Sequence, residues 1–348
     1  MMSNNSLVKI GIVLQGPIIS KGRTGKTATL DPTEPGNSIE FECIKNINRI
    51  VNEYSSEYDV VCSIWESEEH LMIDSKVPQR NLVVAKMKIL QEISSNPSKL
   101  SKNRQFLTTI LGIRKLKELG CTHFIKMRTD QYFLINDLIT YILDLESKSA
   151  LGSKLIVPCR LRSDPRFIQD FYFAGKIDEH LDFFNYFMIS NEIYESVHYD
   201  FFYKMSKYKS DFKYDVLSYF PKESCLTTNQ LVIIERNWRD HLLPGPRSVW
   251  NSLIWRGEQL LIPEKVSPIG IENLSFSNDI AEPLAVSSSE VSFFASLNLY
   301  AFFRFYISNS NPAIWLKVNI LFERLSKARY QISSVYRGVY LKIRFKAD

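Results

Sequence analysis

Residues 104–130 read RQFLTTILGIRKLKELGCTHFIKMRTD, and this stretch decides the fold class. In its first part the apolar residues recur at helical spacing and fall on one face, so we predict an amphipathic helix over residues 104–119. A glycine follows, as is usual just past the end of a helix. Residues 122–127 then form a short apolar run typical of a buried strand, with the charged Arg-Thr-Asp sequence at its carboxyl end.

The same alternation of strands and helices extends towards the N-terminus. Residues 7–14, 59–64 and 81–85 are short apolar runs that predict strands, and residues 38–51 have the spacing of a helix. Alternation of this kind predicts an α/β fold with a mainly parallel, Rossmann-like sheet flanked by helices. In such folds, ligands bind beyond the carboxyl ends of the strands.

The second half of the chain has a looser pattern. Residues 154–159 predict a further strand, and helical spacing returns over residues 228–238. Residues 244–289 are rich in Pro, Gly and Ser, which predicts irregular structure.

Residues 20–27, SKGRTGKT, end in the Gly-Lys-Thr of a phosphate-binding loop. That motif needs a glycine at the first position and a helix directly after it. Here the first position is serine, and the following residues contain two prolines and no helical spacing. We therefore interpret this segment as a flexible basic loop rather than as the signature of an NTPase.

Composition excludes several classes of protein. The chain has 348 residues, of which 45% are hydrophobic, so it can bury a substantial core. Its five cysteines are far apart and form no CxxC pair, which argues against a disulfide framework or a zinc site. The N-terminal apolar run is short and has no cleavage pattern, so we expect no secretion signal and a cytoplasmic location.

The net charge of +5 is concentrated at the C-terminus. Residues 312–348 hold eight Lys or Arg against two acidic residues, which leaves the rest of the chain close to neutral. A basic face that could hold nucleic acid is therefore not indicated for the body of the protein, and we predict no nucleic-acid partner.

Several short motifs occur in a fixed order within residues 7–235. They are Gln15-Gly16-Pro17, Ser63-Ile64-Trp65-Glu66, Asn103-Arg104-Gln105, Lys126-Met127-Arg128-Thr129-Asp130 and Gln169-Asp170-Phe171-Tyr172-Phe173-Ala174-Gly175. In order and spacing they resemble the WavE lipopolysaccharide-synthesis family. The resemblance implies a GT-A-like glycosyltransferase that moves a sugar from a nucleotide-sugar donor to a lipopolysaccharide or capsular polysaccharide acceptor.

The resemblance also implies roles for individual residues in donor binding. Gln15, Gly16 and Pro17 would form the loop under the nucleotide base and ribose. Arg104, expected at a helix N-terminus, would add a positive charge to backbone amides that already favour phosphate.

Three charged residues are the candidates for the chemistry itself. Arg128 and Asp130 would lie at the donor phosphates, and Asp170 would be the base that takes the proton of the acceptor hydroxyl. By spacing alone, the same residues fit an ion pair at a strand end and a solvated loop aspartate. Glu223 is a weaker candidate, because Lys222 interrupts the Pro-Glu element to which it corresponds.

The resemblance does not decide whether the site uses a divalent metal ion. Asp130 stands where common GT-A enzymes have the last residue of Asp-x-Asp, but Arg128 replaces the first aspartate. One carboxylate would hold Mn²⁺ or Mg²⁺ weakly, whereas an arginine neutralises phosphate without a metal. Both a metal-dependent and a metal-independent site fit this sequence.

The resemblance gives functional meaning to the parts of the chain. We predict a nucleotide-sugar-binding half at residues 1–150, an acceptor-binding and catalytic half of the same domain at 151–285, and a helical, aromatic and basic extension at 286–348. Because such acceptors are usually lipid-linked glycans, we expect the extension to contact the inner face of the plasma membrane. A helical cap with solvated basic groups would explain the same composition.

Two other functions remain open at this point. One is a transferase that moves a polyol-phosphate or another phospho-group in surface polysaccharide synthesis. The other is a non-catalytic assembly protein that associates with the membrane through the basic and aromatic residues of the extension.

Overall fold

The computed structural model describes residues 8–28, 30, 34–86, 88, 97–158, 167–189, 197–209, 237–238 and 240–260. All of them belong to one compact unit. Glu223, the predicted extension at 286–348 and most of the predicted helix at 228–238 lie outside the described residues.

Twelve strands and six α-helices occur in the described part of the chain. The strands are β1 (Ile10–Gln15), β2 (Ile19–Gly22), β3 (Ile39–Glu42), β4 (Asp59–Trp65), β5 (Leu82–Ala85), β6 (His123–Arg128), β7 (Gln131–Tyr132), β8 (Leu155–Val157), β9 (Tyr172–Lys176), β10 (Leu242–Pro244), β11 (Ile254–Trp255) and β12 (Glu258–Gln259). The helices are α1 (Ile44–Tyr54), α2 (Pro97–Glu118), α3 (Ile135–Ser147), α4 (Ile177–Ile189), α5 (Val197–Lys209) and α6 (Arg247–Asn251). Two 3₁₀ helices, Glu66–Met72 and Gln79–Asn81, lie between β4 and β5.

Seven strands form the central sheet in the order β10-β8-β9-β6-β1-β4-β5. Strand β6 lies in the middle, and β1 runs parallel to both of its neighbours, β4 and β6, while β9 runs antiparallel to β6 and β8. Strands from both halves of the chain therefore belong to one sheet. The predicted α/β fold class, with a mainly parallel Rossmann-like sheet flanked by helices, is confirmed. The division at residue 150 stays a prediction.

Each face of the sheet is covered by helices, and alternating strand residues pack on opposite sides. Ile12 and Leu14 point into a core formed with α1 and α3, whereas Val13 points into a second core formed with α2, α4 and α5. Helix α2 approaches β1 closely at Gly112, where an added Cβ would lie 2.4 Å from a methyl group of Val13. Because α2 connects the carboxyl end of β5 to the amino end of β6, its first turns lie at the carboxyl edge of the sheet.

The predicted helix at 38–51 is wrong at its start. Ile39–Glu42 is a strand that pairs antiparallel with Ile19–Gly22, and the helix runs over Ile44–Tyr54 instead. The buried residues of α1 are Ile47, Ile50, Val51 and Tyr54, which is the helical spacing that buries one face. The same pairing shows that the predicted flexible loop at 20–27 is partly wrong, because its first residues form β2.

The prediction of irregular structure over 244–289 is wrong for the residues described, up to position 260. Here Leu242–Pro244 joins the edge of the central sheet, a short helix follows, and Ile254–Trp255 pairs with both β12 and β7. Short elements with Gly and Pro between them explain why composition alone predicted irregular structure. No helix in the described ranges is both long and apolar enough to cross a membrane.

Candidate functional site

The carboxyl ends of β1 and β6 are tied together by Thr129. Its backbone N–H donates to the carbonyl of Gln15 at 3.0 Å, and its hydroxyl donates to the carbonyl of Pro17 at 2.6 Å. Gly16 has a φ of +142°, and a Cβ added there would lie 2.6 Å from the Thr129 hydroxyl oxygen. The glycine is therefore required by both backbone conformation and space. The Gln15-Gly16-Pro17 loop and the Arg128-Thr129-Asp130 run thus form one surface.

Arg128 lies between two carboxylates. Its Nε and one Nη donate to the two oxygens of Asp130, both at 2.9 Å, and the other Nη donates to Asp170 Oδ2 at 3.3 Å. These contacts use three of the five guanidinium N–H groups. The Arg128 side chain is 22% exposed, while that of Asp130 has no exposed surface. Arg128 is consequently fixed by its hydrogen bonds to the two aspartates, while part of its side chain remains accessible to a ligand.

Asp130 accepts hydrogen bonds from protein donors on both of its oxygens. Besides Arg128, its Oδ2 accepts hydrogen bonds from the Ser20 hydroxyl at 2.8 Å and from Trp255 Nε1 at 3.2 Å, and it lies 3.2 Å from an Nη of Arg256. Burial alone would raise the pKa of Asp130, but Arg128 and then Arg256 hold it below its usual range. The residue is an ionised anchor for two arginines.

Arg256 reaches the site from a tight hairpin between β11 and β12. Arg256 and Gly257 have φ values of +48° and +80°, as the two central residues of a hairpin turn require. The Arg256 backbone N–H donates to the carbonyl of Asp130 at 2.8 Å, its Nε donates to Ser20 Oγ at 2.9 Å, and an Nη donates to the carbonyl of Arg23. Hairpin residues distant in sequence therefore complete the site.

Asp170 precedes β9 and is buried, with 8% of its surface exposed. It accepts a hydrogen bond from Gln105 Nε2 at 2.7 Å, and His198 Nδ1 lies 4.0 Å from its other oxygen. Burial alone would raise the pKa of Asp170, but Arg128, His198 and Lys126 hold it well below its usual range. It is thus a firmly ionised carboxylate and not a solvated loop residue.

Lys126 is a titratable residue in the interior of β6, between Ile125 and Met127. It has no exposed surface, and its Nζ donates to the backbone carbonyl of Asp170 at 2.8 Å and lies 5.2 Å from the centre of the Phe173 ring. Burial lowers the pKa of Lys126 to about 7, against a partly compensating effect of the Asp170 carboxylate. Lys126 and Arg128 lie on the same face of β6, two residues apart.

These charged residues form one cluster, which we call the carboxyl-edge cluster. Its members are Lys126, Arg128, Asp130, Asp170 and Arg256. Three are basic and two are acidic, so the cluster has one excess positive charge when all are ionised. Burial alone would lower the pKa of Arg128, but the two aspartates raise it above its ordinary value, so its charge is permanent.

A row of polar side chains extends from Arg128 across the sheet. Gln15 is in register with Arg128 of β6 on one side and with Ser63 of β4 on the other. Alternation places all three on the face covered by α2. Gln15 Oε1, Ser63 Oγ and Asn103 Oδ1 of α2 are buried and have no hydrogen-bond partner among the described residues. Such atoms cost about 1–3 kcal/mol each unless a ligand or water satisfies them.

The donor set around Asp130 does not fit a divalent cation. Mn²⁺ and Mg²⁺ need several oxygen ligands with free lone pairs. Asp130 Oδ2 already accepts bonds from Ser20 and Trp255, and Oδ1 accepts one from Arg128. The carboxylate also faces two guanidinium groups, which repel a cation. Nor does the described part of the chain bring together three side chains of metal-binding type.

Arg104 does not have its predicted place. Helix α2 begins at Pro97, where proline is favourable, so Arg104 is two turns inside the helix and away from the unpaired amides. Its side chain is exposed, and the neighbouring Gln105 is the one that reaches Asp170. The sequence predicted the helix from its periodic part, which starts after the true N-terminus.

No protein-family model and no curated protein sequence matches this chain. Among solved structures, a 4-diphosphocytidyl-2C-methyl-D-erythritol synthase from Anaerococcus prevotii is similar at 11% identity and a TM-score of 0.31, over 56% of this chain and 82% of that one. A mannose-1-phosphate geranyltransferase from Thermus thermophilus is similar at 8% identity and a TM-score of 0.30, over 56% of this chain and 67% of that one. A cytidylyltransferase from Leptospira borgpetersenii is similar at 12% identity and a TM-score of 0.27, over 53% of this chain and 66% of that one. At these values the similarities carry no conclusion about activity, which has to be inferred from the carboxyl-edge cluster itself.

Proposed function

We propose that this protein is a glycosyltransferase that uses a nucleotide-sugar donor and binds the donor phosphates against Arg128. One observation carries the proposal. The carboxyl-edge cluster has three basic and two acidic members, and its most exposed side chain is an arginine with two N–H groups that no described residue accepts. A planar guanidinium with a free edge is suited to bind phosphate oxygens.

The chemistry of sugar transfer requires such a group. When the glycosidic bond to the donor breaks, negative charge develops on the leaving nucleotide, and a fixed positive charge lowers that barrier. Arg128 is held rigidly by Asp130 and Asp170, so little reorganisation is needed during the reaction. We therefore propose that Arg128 supplies the charge neutralisation that common GT-A enzymes obtain from a metal ion.

The polar row supports a place for the nucleoside. Adjacent strands are spaced about 4.8 Å apart, so a ligand with phosphate at Arg128 would reach the end of β1 at Gln15. Ser63 has no exposed surface and lies under α2 beside Gly112, so the nucleoside would contact only the Gln15 end of the row, where the Gln15-Gly16-Pro17 loop begins. This agrees with the donor-loop role that the family resemblance implies for Gln15, Gly16 and Pro17.

The two aspartates have a positioning role in this proposal. A general base works best when its pKa is near the working pH, and the pKa of Asp170 is well below its usual range. Asp170 instead orients Arg128 and accepts a bond from Gln105, and Asp130 fixes the two arginines. The use of Asp170 as the base that activates the acceptor stays a prediction that follows from the family resemblance.

The acceptor is proposed from the resemblance to the WavE family alone. It would be a lipopolysaccharide or capsular glycan, lipid-linked at the inner face of the plasma membrane, with the basic residues of 312–348 contacting that surface. Those residues lie outside the described part of the chain. A flotation assay with anionic liposomes, comparing the full chain with one ending at residue 311, would test the membrane contact.

The activity is tested by incubating the protein with UDP-, GDP-, CMP- and dTDP-sugars and measuring free nucleotide. We expect release from one class of donor, reduced at least tenfold in Arg128→Lys, which keeps the charge but loses the planar fork. Arg114→Lys is a matched control, because Arg114 is exposed on α2 and contacts Asn185. Absence of release from every donor, or equal release by Arg128→Lys and wild type, would refute the proposal.

Analysis of the product and a nucleotide-binding measurement separate the two rival functions. A phospho-group transferase would leave a phosphodiester in the product, which phosphorus NMR detects. A non-catalytic assembly protein would release no nucleotide and would bind none in calorimetry.

A further inference from the structure

Lys126 is a buried amine that the proposed donor chemistry does not use. Its Nζ can donate three hydrogen bonds when protonated, and within the described residues it has one acceptor, the carbonyl of Asp170. A permanently charged ammonium at zero exposure would normally be satisfied more fully. The geometry therefore fits an amine that exchanges its proton.

The groups facing Lys126 come from several elements. The nearest charged side chain on β6 is that of Arg128, and Asp130 follows the end of the strand. The carboxylate of Asp170 comes from the residues just before β9, and His198 of α5 lies 4.0 Å from that carboxylate. The side chains from β9 and α2 are uncharged: they are the Phe173 ring and the amide of Gln105, whose partner is Asp170.

The proton of Lys126 sets the net charge of the carboxyl-edge cluster. Arg128 and Arg256 balance Asp130 and Asp170 one for one. The cluster is therefore neutral when Lys126 is an amine and carries one positive charge when Lys126 is an ammonium. An anion at Arg128 would stabilise the second state.

We propose that Lys126 couples anion binding at this site to proton uptake: an anion that docks on Arg128 draws one proton from solvent onto the Lys126 nitrogen. This inference rests on the anion site of the proposed function, but not on sugar transfer. It makes Lys126 a specificity residue that adjusts the charge of the site to that of the ligand. A more negative ligand, such as a released nucleoside diphosphate, would draw the proton more strongly than the intact donor does.

The size of the effect follows from the spacing on the strand. Residues two apart on one face of a strand are separated by about 7 Å, so an anion beyond Arg128 lies roughly 10 Å from the Lys126 nitrogen. At an effective dielectric constant of about 20, an unscreened dianion at that distance would raise the pKa of the amine by roughly 2.4 units, and ionic screening over a Debye length of about 10 Å reduces this to about one to two units. Starting from a pKa of about 7, this makes anion affinity fall about tenfold between pH 6.5 and 8.5.

Sulfate is the probe, because it remains a dianion over this whole range of pH. Protein labelled with ¹³C at the lysine Cε position is titrated by NMR with and without saturating sulfate, and Lys126→Arg identifies the Lys126 signal. We expect the pKa of Lys126 to rise by at least one unit with sulfate. The signal of Lys117, exposed at the far end of α2, provides the internal control and should not move.

Calorimetry gives an independent readout. Wild-type protein should bind sulfate about ten times more weakly at pH 8.5 than at pH 6.5, whereas Lys126→Met should show the same affinity at both values. An unchanged pKa of Lys126, or absence of sulfate binding, would overturn the inference. The NMR titration of the wild type decides even if Lys126→Met does not fold. Proton uptake without any donor turnover would support the inference and count against glycosyl transfer.

Discussion

Replacing Asp130 by asparagine should destabilise the fold strongly. The substitution keeps the shape and one acceptor oxygen, but it removes the charge that Arg128 and the buried Arg256 share. Arg128 contacts both oxygens at 2.9 Å, and Arg256 approaches at 3.2 Å. The new amide group would also face the donors of Ser20 and Trp255. Breaking a buried ion pair from one side costs about 3–5 kcal/mol, and we expect a loss in that range.

The loss is measured by urea unfolding followed by circular dichroism. Asp144→Asn is the matched control, because Asp144 forms a 2.8 Å ion pair with Lys148 that is about half exposed on both sides. Exposed pairs of this kind contribute roughly 0–1 kcal/mol. In a double-mutant cycle, Arg256→Met combined with Asp130→Asn should cost at least about 1 kcal/mol less than the sum of the two single changes. Equal losses for Asp130→Asn and Asp144→Asn, or strict additivity in the cycle, would refute the anchor role of Asp130.

Three further changes test the electrostatics and the geometry of the site. Burial lowers the folded-state pKa of Lys126 to about 7, below its value in the unfolded chain. The free energy of unfolding of the wild type should therefore rise by about 2 kcal/mol between pH 7 and pH 9 relative to that of Lys126→Met. A difference between the two proteins in urea unfolding that stays constant with pH would contradict this. The folded-state pKa of Asp170 is depressed, so its ionised form stabilises the fold at neutral pH, and this stabilisation is lost as the pH falls below the pKa of the unfolded state. Between pH 5 and pH 3 the free energy of unfolding of the wild type should therefore fall by about 1 kcal/mol more than that of Asp170→Asn. Gly16→Ala should cost at least about 2 kcal/mol in urea unfolding, because the added methyl meets the Thr129 hydroxyl at 2.6 Å. Gly152→Ala, where φ is +54° and the added methyl meets open space, should cost about 1 kcal/mol in the same assay.

Much of the central sheet could be predicted from the sequence, because most of its strands are short apolar runs that are largely buried. The predicted strands at 59–64 and 81–85 agree with β4 and β5 to within a residue. The same reasoning placed Arg128 and Asp130 correctly at the carboxyl end of β6. Burial of a strand is a local property, so a local pattern is sufficient to find it.

The partners of Asp130 could not be found in this way. Trp255 and Arg256 come from a segment more than a hundred residues later, whose Gly and Pro content predicted irregular structure. The signal that was present is the Arg256-Gly257 pair between two short strands, which is compatible with a two-residue hairpin turn. Their contact with Asp130 depends on tertiary packing, which no local pattern encodes.

Lys126 is an intermediate case. A lysine in the middle of the apolar run HFIKMR contradicts the pattern of a buried strand, and such a contradiction is a recognised sign of a functional position. The sequence alone does not say whether the amine reaches solvent. Only the position of the Asp170 carbonyl and the Phe173 ring explains why it stays inside.

The most direct test of the proposed site is a calorimetric titration with UDP, GDP, CMP and dTDP of wild-type protein, Arg128→Lys and the control Arg114→Lys. We expect that one nucleotide binds the wild type at one site per chain, that Arg114→Lys binds it equally well and that Arg128→Lys binds it at least ten times more weakly. Failure of the wild type to bind any of the four, or equal affinity of Arg128→Lys and wild type, would contradict the assignment of Arg128 as the phosphate-binding residue.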